Sequence, residues 1–89
     1  PQDYAEAVKW YRLAADQGIA MAQNALGFMY LSGKGVPQDY GQAHMWFNLA
    51  AAQGDELARE ARDLVADMMT PSQLEQAQLL ARAWLAAHP

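Results

Sequence analysis

Apolar residues near the start of the chain recur at intervals of three and four, which is the period of an amphipathic α-helix. Between positions 4 and 17 this spacing collects one set of side chains on a broad apolar face: Tyr4, Ala7, Val8, Trp10, Tyr11, Ala14 and Ala15. Asp3 stands in the N-cap position with Glu6 as its capping-box partner, and Gly18 provides a C-terminal stop. The pattern therefore predicts a helix over residues 4–17.

Four further stretches have the same helical spacing. They predict helices over residues 20–31, 40–53, 56–69 and 71–86. Gly27 lies inside the second helix, where glycine costs about 1 kcal/mol of helix propensity relative to alanine. We therefore expect a neighbouring helix to approach the backbone at Gly27 closely. The glycine-punctuated stretch 32–36 predicts a tight turn between two helices.

The final helix has a strong start signal, with Thr70 as N-cap, Pro71 in the first helical position and Gln73 as capping-box partner. Its predicted inward face comprises four positions: Leu74, Ala77, Leu80 or Ala81, and Trp84. We expect this helix to act as a cap, with the large ring of Trp84 covering the end of the apolar seam.

One pattern, PQDYxxAxxWxxLAAxQG, occurs at residues 1–18 and again 36 residues later at 37–54. Repetition with a period of this length indicates stacked supersecondary units that bury their apolar faces against each other. The second copy then diverges, because Asp63 stands at the position that matches Gly27. The sequence predicts an all-α fold, an α/α solenoid of antiparallel helix pairs. Its parts are a full repeat (1–36, the first unit), a closing repeat (37–69, the second unit) and a C-terminal capping helix (70–89).

The composition fits one small domain of 89 residues, 53% of them hydrophobic. There is no cysteine, which excludes disulfides and thiolate metal sites. No apolar run reaches the roughly 18 residues of a membrane helix, so we expect a soluble domain, cytoplasmic or periplasmic. The net charge of −4 argues against nucleic acid as a partner. Because the chain begins with Pro1 at the start of a repeat, we expect it to be a segment of a longer protein.

Candidate chemistry is sparse. His44 and His88 are too far apart in sequence to suggest a zinc site, which needs three or four ligands at close spacing. The Gly-Lys-Gly string at 33–35 lacks the spacing, the following Ser or Thr and the preceding strand of a phosphate-binding loop. No nucleophile, base and orienting group can be assembled. We therefore predict no catalysis, no cofactor and no metal.

The repeated residues resemble the Sel-one-like repeat (SLR) family, a branch of the tetratricopeptide-like α/α solenoids. The first unit matches the family pattern at these positions: Ala7, Trp10, Ala14, Ala15, Gly18, Ala22, Leu26, Gly27, Tyr30, Gly33, Gly35, Val36 and, at the start of the second unit, Asp39. The second unit matches through Ala43, Trp46, Ala50, Ala51 and Gly54. The tail from Met69 through Trp84 is similar to the closing helix of bacterial members. The resemblance implies a right-handed superhelix, of bacterial source, that holds other proteins or peptides as an adaptor.

A candidate partner-binding face follows from the stacking of first helices, because equivalent exposed positions would form rows. The predicted face comprises Lys9, Arg12 and Asp16 in the first unit and His44, Met45 and Asn48 in the second. His44 borders the row, and we expect its imidazole to be partly buried or at a groove edge. Arg12 could bind a carboxylate with two hydrogen bonds, and Asn48 could bond a peptide backbone. The alternative is that these side chains merely face solvent. We accordingly predict a scaffold that binds a protein or peptide.

A second function class stays open at this point. The chain could be a structural or oligomerising module that packs against further repeats or another copy of itself. In that case the outer side of the first helix would be uncovered, with Tyr4, Val8 or Tyr11 partly exposed. Measuring the oligomeric state would separate the two hypotheses.

Overall fold

The computed structural model describes residues 3–89 as five α-helices: α1 Tyr4–Asp16, α2 Ala20–Ser32, α3 Tyr40–Ala52, α4 Glu56–Ala66 and α5 Pro71–Ala87. Pro1 and Gln2, which open the first copy of the repeated pattern, lie outside the described residues. Within residues 3–89 the backbone forms no strand. The prediction of an all-α fold with five helices is confirmed.

Aspartate side chains cap the starts of α1, α3 and α4, and the N-cap predicted at Asp3 is confirmed. Asp3, Asp39 and Asp55 each accept a hydrogen bond from the backbone N–H three residues ahead, at 3.0–3.1 Å. Thr70 and Gln73 form the expected reciprocal capping box at the start of α5. Each such cap contributes about 1 kcal/mol, so the helix starts are fixed locally by sequence.

The end of α4 differs from the prediction of a helix to residue 69. The helix stops at Ala66, and the next residues form tighter turns in which the N–H of Met68 donates to the carbonyl of Val65. The chain must reach the extended backbone of Thr70 before Pro71, and the residue before a proline disfavours helical dihedral angles. The predicted boundary is therefore three residues too late.

Helix α3 lies at the centre of the packing and contacts α2, α4 and α5. A first apolar cluster joins α3 to α1, α2 and α5 and contains Ala15, Ala22, Leu26, Met45, Trp46, Leu49 and Ala81. A second cluster joins α3 to α4 and contains Ala43, Phe47, Ala50, Ala58, Ala61 and Val65. Because both clusters include α3, the second unit's first helix is enclosed, while α1 lies at the edge of the stack.

The close approach expected at Gly27 is confirmed, and the approaching group is the ring of Phe47 on α3. A Cβ atom added to Gly27 would lie 2.5 Å from Cε1 of Phe47, far inside van der Waals contact. The predicted turn at 32–36 is also present. Gly33 ends α2 in the left-handed conformation, with φ of 71°, and Gly35 repeats it with φ of 79°. Glycine therefore permits both the close contact between α2 and α3 and the left-handed backbone of the turn at 32–36.

Helix α5 packs across α3 through two buried small residues, Ala77 and Ala81, and the partly buried Trp84. Of the two residues predicted for one inward position, Ala81 is buried and Leu80 is exposed. The Trp84 ring meets the Trp46 ring edge-to-face, with centroids 6.1 Å apart. The expected packing role of Trp84 is confirmed, and its partner is the centre of the first cluster.

Candidate partner-binding surface

Arg12 lies between the two units. Its guanidinium carbon is 5.5 Å from the centre of the Trp46 ring, and its Nη1 donates to the Tyr30 hydroxyl at 3.4 Å. Nε lies 3.9 Å from Oδ2 of Asp16, one turn along α1. The side chain is nevertheless about half exposed, and most of its five N–H donors have no protein partner within residues 3–89. Arg12 can therefore still bind an anionic group.

Asp16, at the end of α1, joins the first unit to α5. Its Oδ1 accepts a hydrogen bond from the indole N–H of Trp84 at 3.2 Å and lies 4.0 Å from Nε2 of His88. The His88 ring stacks on Trp84, with centroids 4.0 Å apart. Lys9 is exposed on the same helix. The structure thus brings Arg12 and Asp16 together, and it assigns Asp16 a structural contact that the sequence did not predict.

The expectation that Met45 is exposed is wrong. Met45 is only 5% exposed because it belongs to the first apolar cluster, which α5 covers through Ala81. Lys9 occupies the matching position in α1, where its side chain is exposed to solvent. The two residues occupy equivalent positions in the sequence repeat, but tertiary packing buries Met45 and leaves Lys9 exposed.

His44 was expected to be partly buried or at a groove edge and is instead buried, with 4% of its surface exposed. Its pKa is lowered from 6.5, first by burial and then by the positive charge of Arg62, which Asp63 partly opposes. Asn48, one turn along α3, is half-buried and accepts a hydrogen bond from Nη1 of Arg62 at 3.1 Å. Both side chains therefore face α4.

The six predicted residues do not form one continuous exposed row. Lys9, Arg12 and Asp16 share one side of α1, whereas the residues of α3 are buried or face α4. Binding of a partner by the exposed members stays a prediction. It concerns Lys9, Arg12, Asp16 and the accessible part of Asn48.

Beside this polar edge, α1 exposes three apolar side chains, Trp10, Tyr11 and Leu13, which we call the α1 apolar face. Trp10 is 64% exposed, whereas Trp46, the same residue at the matching position of α3, is 1% exposed. The counterparts of Tyr11 and Leu13, which are Phe47 and Leu49, are likewise buried. Tyr4 is also exposed and Val8 is half-buried, as expected for an uncovered first helix.

Sequence reasoning grouped Trp10 and Tyr11 with the core-facing residues and did not single out Leu13. Periodicity shows which side chains share a face of a helix, but it contains no information on what covers that face. A signal was available in the repeat itself. Trp10 and Leu13 recur as Trp46 and Leu49, whose burial depends on neighbouring helices, and no unit precedes the first one within residues 3–89.

Two shallow clefts flank α5. A cleft of about 450 Å³ separates its start from the start of α3 and is lined by amide and apolar groups that include Tyr40, Gln76 and Leu80. A cleft of about 410 Å³ lies at its other end, beside Gln53 and His88. Within residues 3–89, no group of three or more His, Cys, Asp or Glu side chains is placed to hold a metal ion. These surfaces offer contacts and hydrogen bonds to a ligand.

None of the helices over residues 3–89 has the length and apolar character needed to cross a membrane.

Comparison with known proteins agrees with the repeat architecture. A sequence model of the Sel1 repeat matches residues 1–19 and 20–55. The structure is similar to the crystal structure of a protective antigen present in uropathogenic Escherichia coli strains and displaying an SLR fold, with a TM-score of 0.91 and 38% identity. The similarity covers 97% of this chain and 19% of the antigen chain, and it confirms the predicted α/α solenoid. No curated protein matches the sequence. The chain belongs to the Sel1 repeat family.

Proposed function

We propose that this domain is a protein-interaction scaffold that binds a segment of another protein on its stacked helices and catalyses no reaction. Helical repeat modules present extended surfaces of this kind. The observation that carries the proposal is the α1 apolar face, because a large exposed apolar patch with a polar rim marks an interaction site. Trp10 is its central residue, and tryptophan is among the residues that contribute most to binding at interfaces.

The polar edge supplies the rim. Lys9, Arg12 and Asp16 lie along one side of α1, next to Leu13. We assign Arg12 the role of binding a carboxylate of the partner, since only one of its N–H groups donates to a described residue. Asn48 keeps its amide N–H₂ group as a donor because its oxygen is the atom bonded to Arg62. These polar contacts would fix the orientation of the bound partner, while the α1 apolar face would supply most of the binding free energy.

The experiment is a selection of displayed random peptides against the wild-type domain. Enriched peptides are then titrated against Trp10→Ser/Leu13→Ser and against Arg12→Ala/Asn48→Ala. A matched control is Leu57→Ser/Leu64→Ser, which changes two equally exposed leucines on α4. We expect the first pair to abolish binding, the second to weaken it and the control to leave it unchanged. Enrichment that is the same on all three variants would contradict the proposal.

A second candidate function, a structural or oligomerising module, is favoured by the same exposed face. Two copies that buried their α1 apolar faces against each other would remove that surface from water. Light scattering over a range of protein concentrations distinguishes the candidates. A domain that stays monomeric while binding selected peptides supports the scaffold, and a dimer lost on Trp10→Ser supports the oligomerising module.

A further inference from the structure

A continuous furrow runs along α5, and we call it the α5 furrow. It consists of the cleft of about 450 Å³ beside the start of α3 and a neighbouring cleft of about 410 Å³, which share Gln76 and Leu80. Along α5 the furrow extends from Gln73 to Ala83. Helix over this stretch rises about 15 Å, which is the length of about five residues of extended peptide. The α5 furrow therefore has the dimensions of a short extended segment.

Amide groups on both sides of the furrow have unused hydrogen-bonding atoms. Gln38, before α3, donates through Nε2 to the carbonyl of Leu31 at 2.8 Å, so its Oε1 stays available as an acceptor. Gln73, on α5, accepts through Oε1 from the N–H of Thr70 at 2.9 Å, so its Nε2 stays available as a donor. Gln76 is exposed on the same side of the furrow as Gln73. The two sides thus offer the acceptors and donors that an extended peptide backbone requires.

The two ends of the furrow differ in charge and polarity. Asp39 is the one charged residue among the described residues that line it. Its Oδ1 accepts a hydrogen bond from the N–H of Gln42, and no described cation pairs with the carboxylate. The far end presents the exposed side chains of Leu79 and Leu80. A ligand with a positive group at one end and an apolar group at the other is complementary to this arrangement.

Gly41 opens the furrow at the start of α3. The matching position of α1 is Ala5, so glycine here is a departure from the repeat. An added Cβ would meet only Oδ1 of Asp39, at 3.2 Å, whereas Gly27 is in contact with a ring of another helix. Gly41 also does not have a positive φ. Neither the backbone nor the packing of residues 3–89 requires this glycine, and close approach of a ligand is a further reason for one.

We propose that the α5 furrow is a second binding site, which takes a short extended peptide segment of a partner protein. The segment presents a lysine or arginine to Asp39 and an apolar side chain to Leu79 and Leu80. Its backbone forms hydrogen bonds with the amide groups of Gln38 and Gln73. This site goes beyond the interaction through the α1 apolar face, because no residue of α1 lines the furrow.

The test uses libraries of capped five-residue peptides and the wild-type domain. Lysine and leucine occupy the two ends, in either order, and the central positions vary among uncharged residues. Matched libraries have glutamate in place of lysine. Peptides retained by the domain are identified by mass spectrometry and then titrated. We expect the lysine peptides to bind at least about ten-fold more tightly than their glutamate counterparts. Equal binding of the two sets, or binding of neither, overturns the proposal.

Two conservative variants test the polar contacts without disturbing the fold. Asp39→Asn removes the charge and keeps the helix cap, because asparagine and aspartate are about equally good N-caps. We expect it to remove the preference for lysine over glutamate. Gln76→Ala should weaken binding about five-fold, whereas Gln78→Ala, at an exposed position of α5 outside the furrow, should leave it unchanged. A lysine preference that survives Asp39→Asn overturns the proposal.

The role of the glycine is tested by filling the space beside it. We expect Gly41→Leu to abolish binding of the lysine peptides, and Ala5→Leu, the same side chain at the matching position of α1, to leave it unchanged. Urea unfolding establishes that each variant is folded. Full binding by folded Gly41→Leu overturns the proposal, and if that variant does not fold, the Asp39→Asn and Gln76→Ala results decide.

These outcomes separate this inference from the proposed function. If no lysine peptide binds while Trp10→Ser/Leu13→Ser abolishes binding of selected peptides, the α5 furrow is not a site and the α1 apolar face is. If lysine peptides bind and are lost in Gly41→Leu, but no peptide depends on Trp10 and Leu13, the furrow is the site and the proposal for the α1 apolar face fails.

Discussion

The first helices of the two units share one sequence pattern but have different surroundings. Trp10 and Trp46 stand at the same repeat position, yet the first is mostly exposed and the second is enclosed by residues of α1, α2 and α5. Leu13 and Leu49 differ in the same way. The comparison shows that one sequence pattern is buried in one copy and exposed in the other, depending on the helices that surround it. In α3 the covering surface is supplied within the chain, and in α1 the apolar side chains stay accessible.

The largest expected difference between the two helices is in the cost of removing tryptophan. Trp46→Ala should lower the free energy of unfolding by about 3–5 kcal/mol, because it leaves a cavity in the first cluster. Trp10→Ala should change it by no more than about 0.5 kcal/mol, since an exposed side chain leaves no cavity. Urea unfolding followed by circular dichroism measures both. Similar losses for the two variants would show that Trp10 is buried in solution.

Gly27→Ala should lower the free energy of unfolding, because it disturbs the contact between α2 and α3 that buries Phe47. The added methyl group meets the Phe47 ring, and overpacking of this kind costs about 1–3 kcal/mol. The matched control is Gly41→Ala, at the position where α1 already has Ala5. Its added Cβ has only the Asp39 carboxylate within 4 Å, at 3.2 Å. Alanine gains about 1 kcal/mol of helix propensity over glycine, and this close contact offsets part or nearly all of that gain. Equal destabilisation by both variants would contradict the steric explanation.

The buried His44 should make the second unit sensitive to acid. Its pKa is lowered in the folded state by burial and by Arg62, so the unfolded chain binds the proton more readily. The contribution of neutral His44 is therefore fully present above pH 6.5 and is lost as the pH falls below that value toward the lowered pKa. His44→Val, which introduces the residue found at position 8, should flatten this part of the curve of unfolding free energy against pH. An unchanged slope would assign the acid sensitivity to other groups.

The smallest expected effects concern two indole hydrogen bonds of equal length. Trp84 donates to Asp16 at 3.2 Å in a partly buried setting, and Trp10 donates to Glu6 at 3.2 Å in an exposed one. A double-mutant cycle with Asp16→Ala and Trp84→Phe should give a coupling of about 1 kcal/mol. The cycle with Glu6→Ala and Trp10→Phe should give nearly none, because water replaces the exposed bond. A larger coupling energy for the Glu6–Trp10 pair than for the Asp16–Trp84 pair would contradict the expectation that the partly buried hydrogen bond is the stronger one.

Helix starts and turns were predictable because their signals are local. Asp3, Asp39, Asp55 and Thr70 cap the helices that follow them, each through an atom only three residues away. The end of α4 was placed too late, since the turn before Thr70 depends on how the chain enters α5. Local sequence signals therefore predicted the five helices and most of their boundaries.

The candidate binding row was less predictable because exposure depends on distant parts of the chain. Met45 and Lys9 occupy matching positions on first helices, and Met45 is buried because it belongs to the cluster that α3 forms with α1, α2 and α5. His44 is buried for a related reason, since it faces α4 and its charges. The spacing of residues along one helix identified which side chains share a face, but it contained no information on which other helices cover that face.

By itself the sequence determined the five helices, their pairing in two units and the requirement for glycine at position 27, because backbone propensity, capping and repetition act through the residues present. Only the tertiary structure decided which copy of the repeated pattern is covered. Burial is a property of two surfaces, and for α3 the second surface is supplied by helices far along the chain, whereas Trp10 and Tyr11 have no such cover within residues 3–89.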